Sequence, residues 1–170
     1  MDLKAKIRSI ENYPQAGVIF RDITTLLKDA EGLKGAIDEM QAKVAELDFD
    51  LVLGPESRGF IFGMPLAYNM GKGFVPVRKK GKLPAEVISK EYALEYGTAT
   101  IEIHKDAVQP GQKVIIVDDL MATGGTAKAV AEMVESMGAE VAAMVFLIEL
   151  DFLDGRKAVP GYRIESVIHY

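Results

Sequence analysis

The chain contains no cysteine among its 170 residues, which excludes disulfides, thiolate metal centres and cysteine nucleophiles before any motif is read. Histidine is nearly as scarce. His104 and His169 stand far apart and form no metal-ligand spacing, so each reads as a surface or structural residue. Positive charge is in deficit, and a net charge of −5 offers no broad basic field to nucleic acid or an anionic membrane. A phosphate-bearing ligand would therefore have to be held by local geometry. No apolar run is long: the longest, Val141 to Ile148, falls far short of the roughly 20 residues that a membrane helix needs. The N-terminal "MDLKAKIRSIENYP" mixes charges early and has no continuous apolar signal region, so a cytoplasmic location is expected. Internal repeats are missing, and so are two common phosphate fingerprints, G-x-x-x-x-G-K-[ST] and G-x-G-x-x-G after a strand.

What is present is the composition of an ordinary soluble globular protein, 49% hydrophobic and long enough for one domain with a real core. Short apolar runs alternate with segments of helical period. "LVL" (51–53), "FVPV" (74–77), "KVIIV" (113–117) and "VAAMVFL" (141–147) read as strands buried on both faces. Residues 58–70 suit a helix between the first two. Leu33, Ile37, Met40, Val44 and Leu47 recur at helical spacing, as do Ala127, Val130, Ala131, Val134 and Met137, with Gly138 placed to stop the latter helix. The alternation predicts an α/β fold, a parallel twisted sheet flanked by helices on both sides. Two segments break the rhythm. The first thirty residues hold "NYPQAGVIFRDIT", neither clearly helical nor strand-like. Residues 78–98 are polar and punctuated by Gly81, Pro84 and Gly97, after which "ATIEIH" (99–104) alternates like one arm of an antiparallel excursion. A loop this long in a compact domain is uncommon unless functional or mobile. Residues 1–170 thus read as a single domain with two appendages.

"VIIVDDLMATGGT" (114–126) concentrates the chemistry. Ligands of parallel sheets sit beyond the carboxyl ends of strands, near helix N-termini. Gly124 and Gly125 let the backbone approach an anion, and Thr123 and Thr126 offer hydroxyls. The first turn of the following helix adds free N–H groups and roughly half a positive charge. Asp118 and Asp119 can accept hydrogen bonds from the vicinal hydroxyls of a sugar. A ribose 5-phosphate would satisfy both halves of the stretch. Plainer readings stay open here, because Gly-Gly turns after strands are common and an acidic pair can merely cap a helix.

Apolar run, acidic pair and small-residue loop together resemble the 5-phosphoribosyl-1-pyrophosphate (PRPP) signature of type I phosphoribosyltransferases. Three further stretches are similar to segments of the adenine phosphoribosyltransferase family, in that family's order. "GVIFRDIT" (17–24) is similar to its base-binding hood, and "GPESRGFIFG" (54–63) to its pyrophosphate loop. "RKKGKLPAEVISKEYALEYGTATIEIHKD" (78–106) is similar to its flexible catalytic loop. The likeness covers nearly the whole chain. Glu56 stands where many relatives have Asp, and Met121 where leucine is common.

The resemblance implies transfer of a phosphoribosyl group from PRPP to adenine, giving AMP and pyrophosphate for purine salvage. An oxopurine transferase or a non-catalytic PRPP-binding regulator are the alternatives. It implies a hood at about 1–30 and a flexible loop at about 78–104. Ribose phosphate would be held by Asp118, Asp119, Ala122, Thr123, Gly124, Gly125 and Thr126. Pyrophosphate would fall to Ser57, Arg58, Arg78 and Lys82. Adenine would be read by a backbone pair at Ile19 and Arg21, with Phe20 and Leu120 near the purine faces. Glu95 is the implied acid/base, working with Arg58, and Tyr96 helps to order the closed loop. A cis peptide is implied at Glu56–Ser57. Magnesium would ride on substrate oxygens without protein ligands. The expected assembly is a homodimer, in which the resemblance leaves open whether Arg78 reaches across the interface; neither nucleic acid nor membrane is an expected partner. Beside these stand bland alternatives: Arg58 in a structural ion pair, Phe20 as core filling, the basic run as a solvated face.

Overall fold

A computed structural model describes residues 1–94 and 97–170. After a 3₁₀ turn (Lys4–Lys6) come β1 (Arg8–Glu11), β2 (Ile19–Asp22), the one-turn α1 (Thr24–Leu27) and α2 (Ala30–Ala42). Next are β3 (Leu51–Pro55), α3 (Arg58–Met70), β4 (Gly73–Lys79), β5 (Val87–Ala93) and β6 (Thr98–His104). β7 (Lys113–Met121), α4 (Gly125–Ser136) and β8 (Glu140–Glu149) follow; two 3₁₀ turns (Asp151–Leu153, Gly155–Ala158) then lead to β9 (Ile164–His169).

Successive side chains of a strand point to opposite faces, and the central strands use both. Val52, Ile115, Val117 and Val145 join Met40, Phe62 and Leu66 of α2 and α3 in one core. Leu53, Ile116 and Met144 join Val130 and Val134 of α4 in the other. That division is why the runs carry no polar alternation. Phe62, Leu66 and Met40 are fully buried, and truncating such a side chain to alanine costs on the order of 2–5 kcal/mol. Helix ends follow local chemistry. Asp29 caps α2 by accepting the Glu31 N–H, and Gly138, at φ +82, follows the C-cap of α4 as its sequence position predicts. Val44 and Leu47 extend the apolar face of α2 past its last helical turn.

The large sheet has the order β5-β6-β4-β3-β7-β8-β9. β4, β3, β7, β8 and β9 run parallel, but β6 pairs antiparallel with both β4 and β5. The sheet is therefore parallel through its central strands, as expected, and antiparallel at the β4–β6–β5 edge, where the sequence suggests an antiparallel excursion. β5 and β6 are consecutive arms of a hairpin, and a connection that short closes only an antiparallel pair. The stretch read as a loop thus contains a strand, β5, while β6 is the antiparallel arm that "ATIEIH" suggests. Lys90 and Glu91 hide β5, because an edge strand carries charge where a central one would not. β9 and the two-stranded ribbon β1–β2, paired from Arg8↔Asp22 to Glu11↔Ile19, also escape the sequence patterns. The ribbon occupies the place expected of the hood.

Candidate active site

β7 keeps pairing with β8 as far as Met121↔Glu149, so Asp118 and Asp119 belong to the strand rather than to the loop beyond residue 117. The backbone N–H of Asp119 donates to Asp118 Oδ1 at 2.8 Å. Asp119 is buried, and Arg58 Nε donates to its Oδ2 at 2.5 Å. Burial first, and the neighbouring Asp119 charge second, push the Asp118 carboxyl well above the usual aspartate range, while Arg58 opposes them. Asp119 in turn holds the Arg58 guanidinium more firmly protonated. The Arg58 cation thus relieves the repulsion in the acidic pair from one side, and the upward shift of the Asp118 carboxyl acts in the same direction.

Arg58 opens α3, just after a turn with the cis peptide Glu56–Ser57 that the family resemblance implies. A Cβ on the next residue, Gly59, would lie 2.8 Å from Pro55 Cδ and 3.1 Å from Asp118 Oδ1. Glycine is what lets the start of α3 press against β7. Across the cleft, Glu56 accepts from the Lys79 N–H at 2.7 Å and from Arg78 Nε at 3.3 Å. The Lys79 amide, with help from the Arg78 charge, holds the Glu56 carboxyl below the usual range.

Ala122–Gly124 link β7 to α4, whose first residue is Gly125. A side chain on Gly124, at φ +84, would collide with the Gly155 carbonyl oxygen, and a Cβ on Gly155 would lie 2.5 Å from the Ala122 oxygen. The loop rests backbone to backbone on the 3₁₀ turn that Gly155 begins. No motif in the sequence points to that second glycine.

Three cavities meet at Leu120. A cleft of about 650 Å³ is lined by Ser57, Arg58, Arg78, Asp118 and Asp119. A cavity of about 280 Å³ under the ribbon is lined by Ile19, Phe20, Arg21, Arg58 and Asp119. A pocket of about 110 Å³ is formed by Ala122, Thr123, Gly124, Gly125 and Thr126 with Tyr92 and Asp118. Leu120 borders all three.

Most of the residues singled out in the sequence are thereby gathered. Lys82 is exposed and belongs to the turn beyond, its N–H bonded to the Lys79 carbonyl, while Lys79 and Lys80 of the same basic run line the cleft. Glu95 and Tyr96 lie outside the described residues. Phe20 lines the cavity under the ribbon and meets Tyr13 edge-to-face at 5.3 Å, so it is not core filling. Arg58 does form an ion pair, yet it borders two cavities with its side chain half exposed. Arg21 donates from Nη1 to Ser9 Oγ at 2.6 Å and lies 3.8 Å over the ring of Tyr170. Away from the cleft, His104 Nε2 accepts the Ala85 N–H. His169 Nδ1 lies 2.8 Å from Asp151 Oδ1, beside Glu149. Arg156 already neutralises that glutamate at 2.7 and 2.9 Å, so the group is an ion-pair network rather than a cation cage.

A central sheet with helices on both faces, an acidic pair closing one strand and a glycine loop opening the next helix define the type I phosphoribosyltransferase class. The chain belongs to the phosphoribosyl transferase domain family, which matches residues 23–164, and within it to the adenine phosphoribosyltransferases. It is 58% identical to the adenine phosphoribosyltransferase of Lachnoclostridium phytofermentans over 99% of this chain and 97% of that protein. The crystal structure of adenine phosphoribosyltransferase from Thermoanaerobacter pseudethanolicus superposes with a TM-score of 0.97 at 55% identity, covering 99% of this chain and 98% of that one. The Saccharomyces cerevisiae adenine phosphoribosyltransferase, crystallised with adenine and an imino-altritol bisphosphate, gives a TM-score of 0.91 at 39% identity over 98% and 96% of the two chains.

Proposed function

We propose that the chain is a pentosyltransferase that moves the 5-phosphoribosyl group of PRPP onto adenine, forming AMP and pyrophosphate for purine salvage. The observation that carries this reading is the convergence of the three cavities on Leu120: one apolar and roofed by the ribbon, one cationic, one built of backbone amides and hydroxyls. Base, diphosphate and 5-phosphate radiate from a ribose in the same way. The C1′–O bond to the diphosphate breaks and the N9–C1′ bond forms from the opposite face, with loss of the N9 proton and inversion at C1′. The reacting carbon passes through an oxocarbenium-like state, so positioning and charge neutralisation supply most of the catalysis.

In this assignment Ala122 to Thr126 hold the 5-phosphate, and Asp118 and Asp119 the ribose hydroxyls. Ser57, Arg58, Arg78, Lys79 and Lys80 meet the departing diphosphate. Ile19 and Arg21 are alternate residues of β2, so their backbone groups point to one edge, where they read the adenine amine and ring nitrogen. Glu95 keeps the acid/base role that the family resemblance implies. Magnesium is assigned to the substrate's own oxygens and water. The donor set supports this, because Asp119 is engaged by Arg58, and Glu56 by Arg78 and Lys79. The ion would neutralise the diphosphate as it leaves. A cytoplasmic location is part of the proposal; among the described residues no helix is long and apolar enough to cross a membrane. A homodimer completes the proposal; exposed Ile61, Met64 and Tyr68 on α3 support it.

The test incubates the protein with PRPP, magnesium and each purine base in turn. AMP should form from adenine, with hypoxanthine and xanthine disfavoured by on the order of 10²-fold or more, since the base-reading polar groups would be left unpaired. EDTA should abolish turnover. Preference for an oxopurine, or full activity in EDTA, would overturn the respective assignment.

A further inference from the structure

Exposure along β5 alternates, with Ile88, Lys90 and Tyr92 half-buried and Ser89, Glu91 and Ala93 exposed. The half-buried face lies against α4. Ile88 and Tyr92 pack on the core beside that helix, Lys90 Nζ lies 2.8 Å from Glu132 Oε2, and Tyr92 Oη lies 3.1 Å from Thr126 Oγ1. A Cβ on Gly125 would touch the Tyr92 ring at 3.6 Å, which puts the ring over the first turn of α4. Tyr92 also borders both the cleft and the loop pocket.

A threonine hydroxyl has one proton to give and two lone pairs to receive with. If Thr126 spends its proton on Tyr92, it has none left for a ligand. If Tyr92 donates instead, the Thr126 proton is free to turn into the pocket. An anionic ligand oxygen selects the second arrangement, and hydrogen bonds to a charged acceptor are the stronger kind.

Resting on the function proposed above, we infer that Tyr92 is a positioning residue for the 5-phosphate of PRPP: its hydroxyl donates to Thr126 Oγ1 and aims the Thr126 proton at a phosphate oxygen.

Tyr92→Phe removes only the hydroxyl and keeps the packed ring. By calorimetry it should weaken ribose 5-phosphate binding by about five- to tenfold, the worth of one net hydrogen bond. Pyrophosphate affinity and the adenine KM should stay at wild-type values, while the PRPP KM rises with little change in kcat. Thr126→Val should itself weaken ribose 5-phosphate, and Tyr92→Phe should add nothing on that background. Unchanged ribose 5-phosphate affinity, equal losses in both backgrounds, or parallel weakening of pyrophosphate would each overturn the inference. So would failure of the wild-type chain to bind ribose 5-phosphate. AMP synthesis by that same wild-type chain, measured separately, decides whether the proposed function falls with it.

Discussion

Two adjacent carboxylates at the end of β7 share their environment unequally. Asp119 takes the Arg58 guanidinium, and Asp118, desolvated and next to that second charge, keeps its proton to higher pH than an ordinary aspartate. Asp119→Asn removes the second cause, leaves burial in place and frees Arg58 to turn toward Asp118. The Asp118 carboxyl should then titrate at lower pH than in the wild type, as read by carboxyl ¹³C NMR of the ligand-free protein. A midpoint that stays put would mean that burial alone sets it, and one that rises would remove the Asp119 charge as a cause. Single residues were legible where chemistry clusters along the chain, as in the acidic pair and the glycines of 118–126. Gly155 was not, because what demands a glycine there is the approach of the Ala122 carbonyl, a contact that only the folded chain makes. The basic run at 78–82 was legible as a cationic surface. Which of its cations face the cleft depends on a turn, and the turn carries Lys82 away.

The β1–β2 ribbon is the element that rests most visibly on one charged group. Asp22, at the end of β2, accepts from the Thr24 hydroxyl at 2.7 Å, from the Thr24 N–H at 2.9 Å and from Arg8 Nε at 2.9 Å. Those bonds, the Thr24 hydroxyl foremost, lower its pKa from 3.8 to about 2. A carboxyl with a depressed folded pKa adds stability that is complete above its unfolded value and fades as pH falls toward the folded one. Asp22→Asn should therefore cost about 1–2 kcal/mol at pH 7, with the gap to wild type closing between about pH 4 and 2 in urea melts. A gap independent of pH would show that the lost bonds mattered and the charge did not. Legibility at this scale follows burial. β3, β4, β7 and β8 announce themselves because the cores on both faces demand apolar residues. β1, β2, β5 and β9 are marginal strands with charge among their residues, and their pairing is settled by neighbours distant in sequence.

The three cavities together draw on residues 19–21, 56–58, 78–80 and 118–126, so the shape of the site is a property of the whole molecule and of anything that fixes α3. That helix is apolar nearly all round. Phe62 and Leu66 point into the core, while Met64 and Tyr68 remain 50% and 84% exposed, with Ile61 one turn before Met64. A helix apolar on every side is normally covered on every side. The sequence could not reveal this, because inward and outward apolar positions are interleaved within 58–70 and only the fold sorts them. A second copy of the chain covering the stripe would also brace Arg58 at the head of the helix. The wild-type protein should then sediment at about twice the 18.5 kDa of one chain. A Met64→Lys, Tyr68→Glu double variant should sediment as the single chain with an unchanged circular dichroism spectrum, because neither side chain contributes to the core. A double variant that stays at the wild-type mass would place the seam elsewhere, and a wild-type chain that is monomeric at micromolar concentration would remove it altogether.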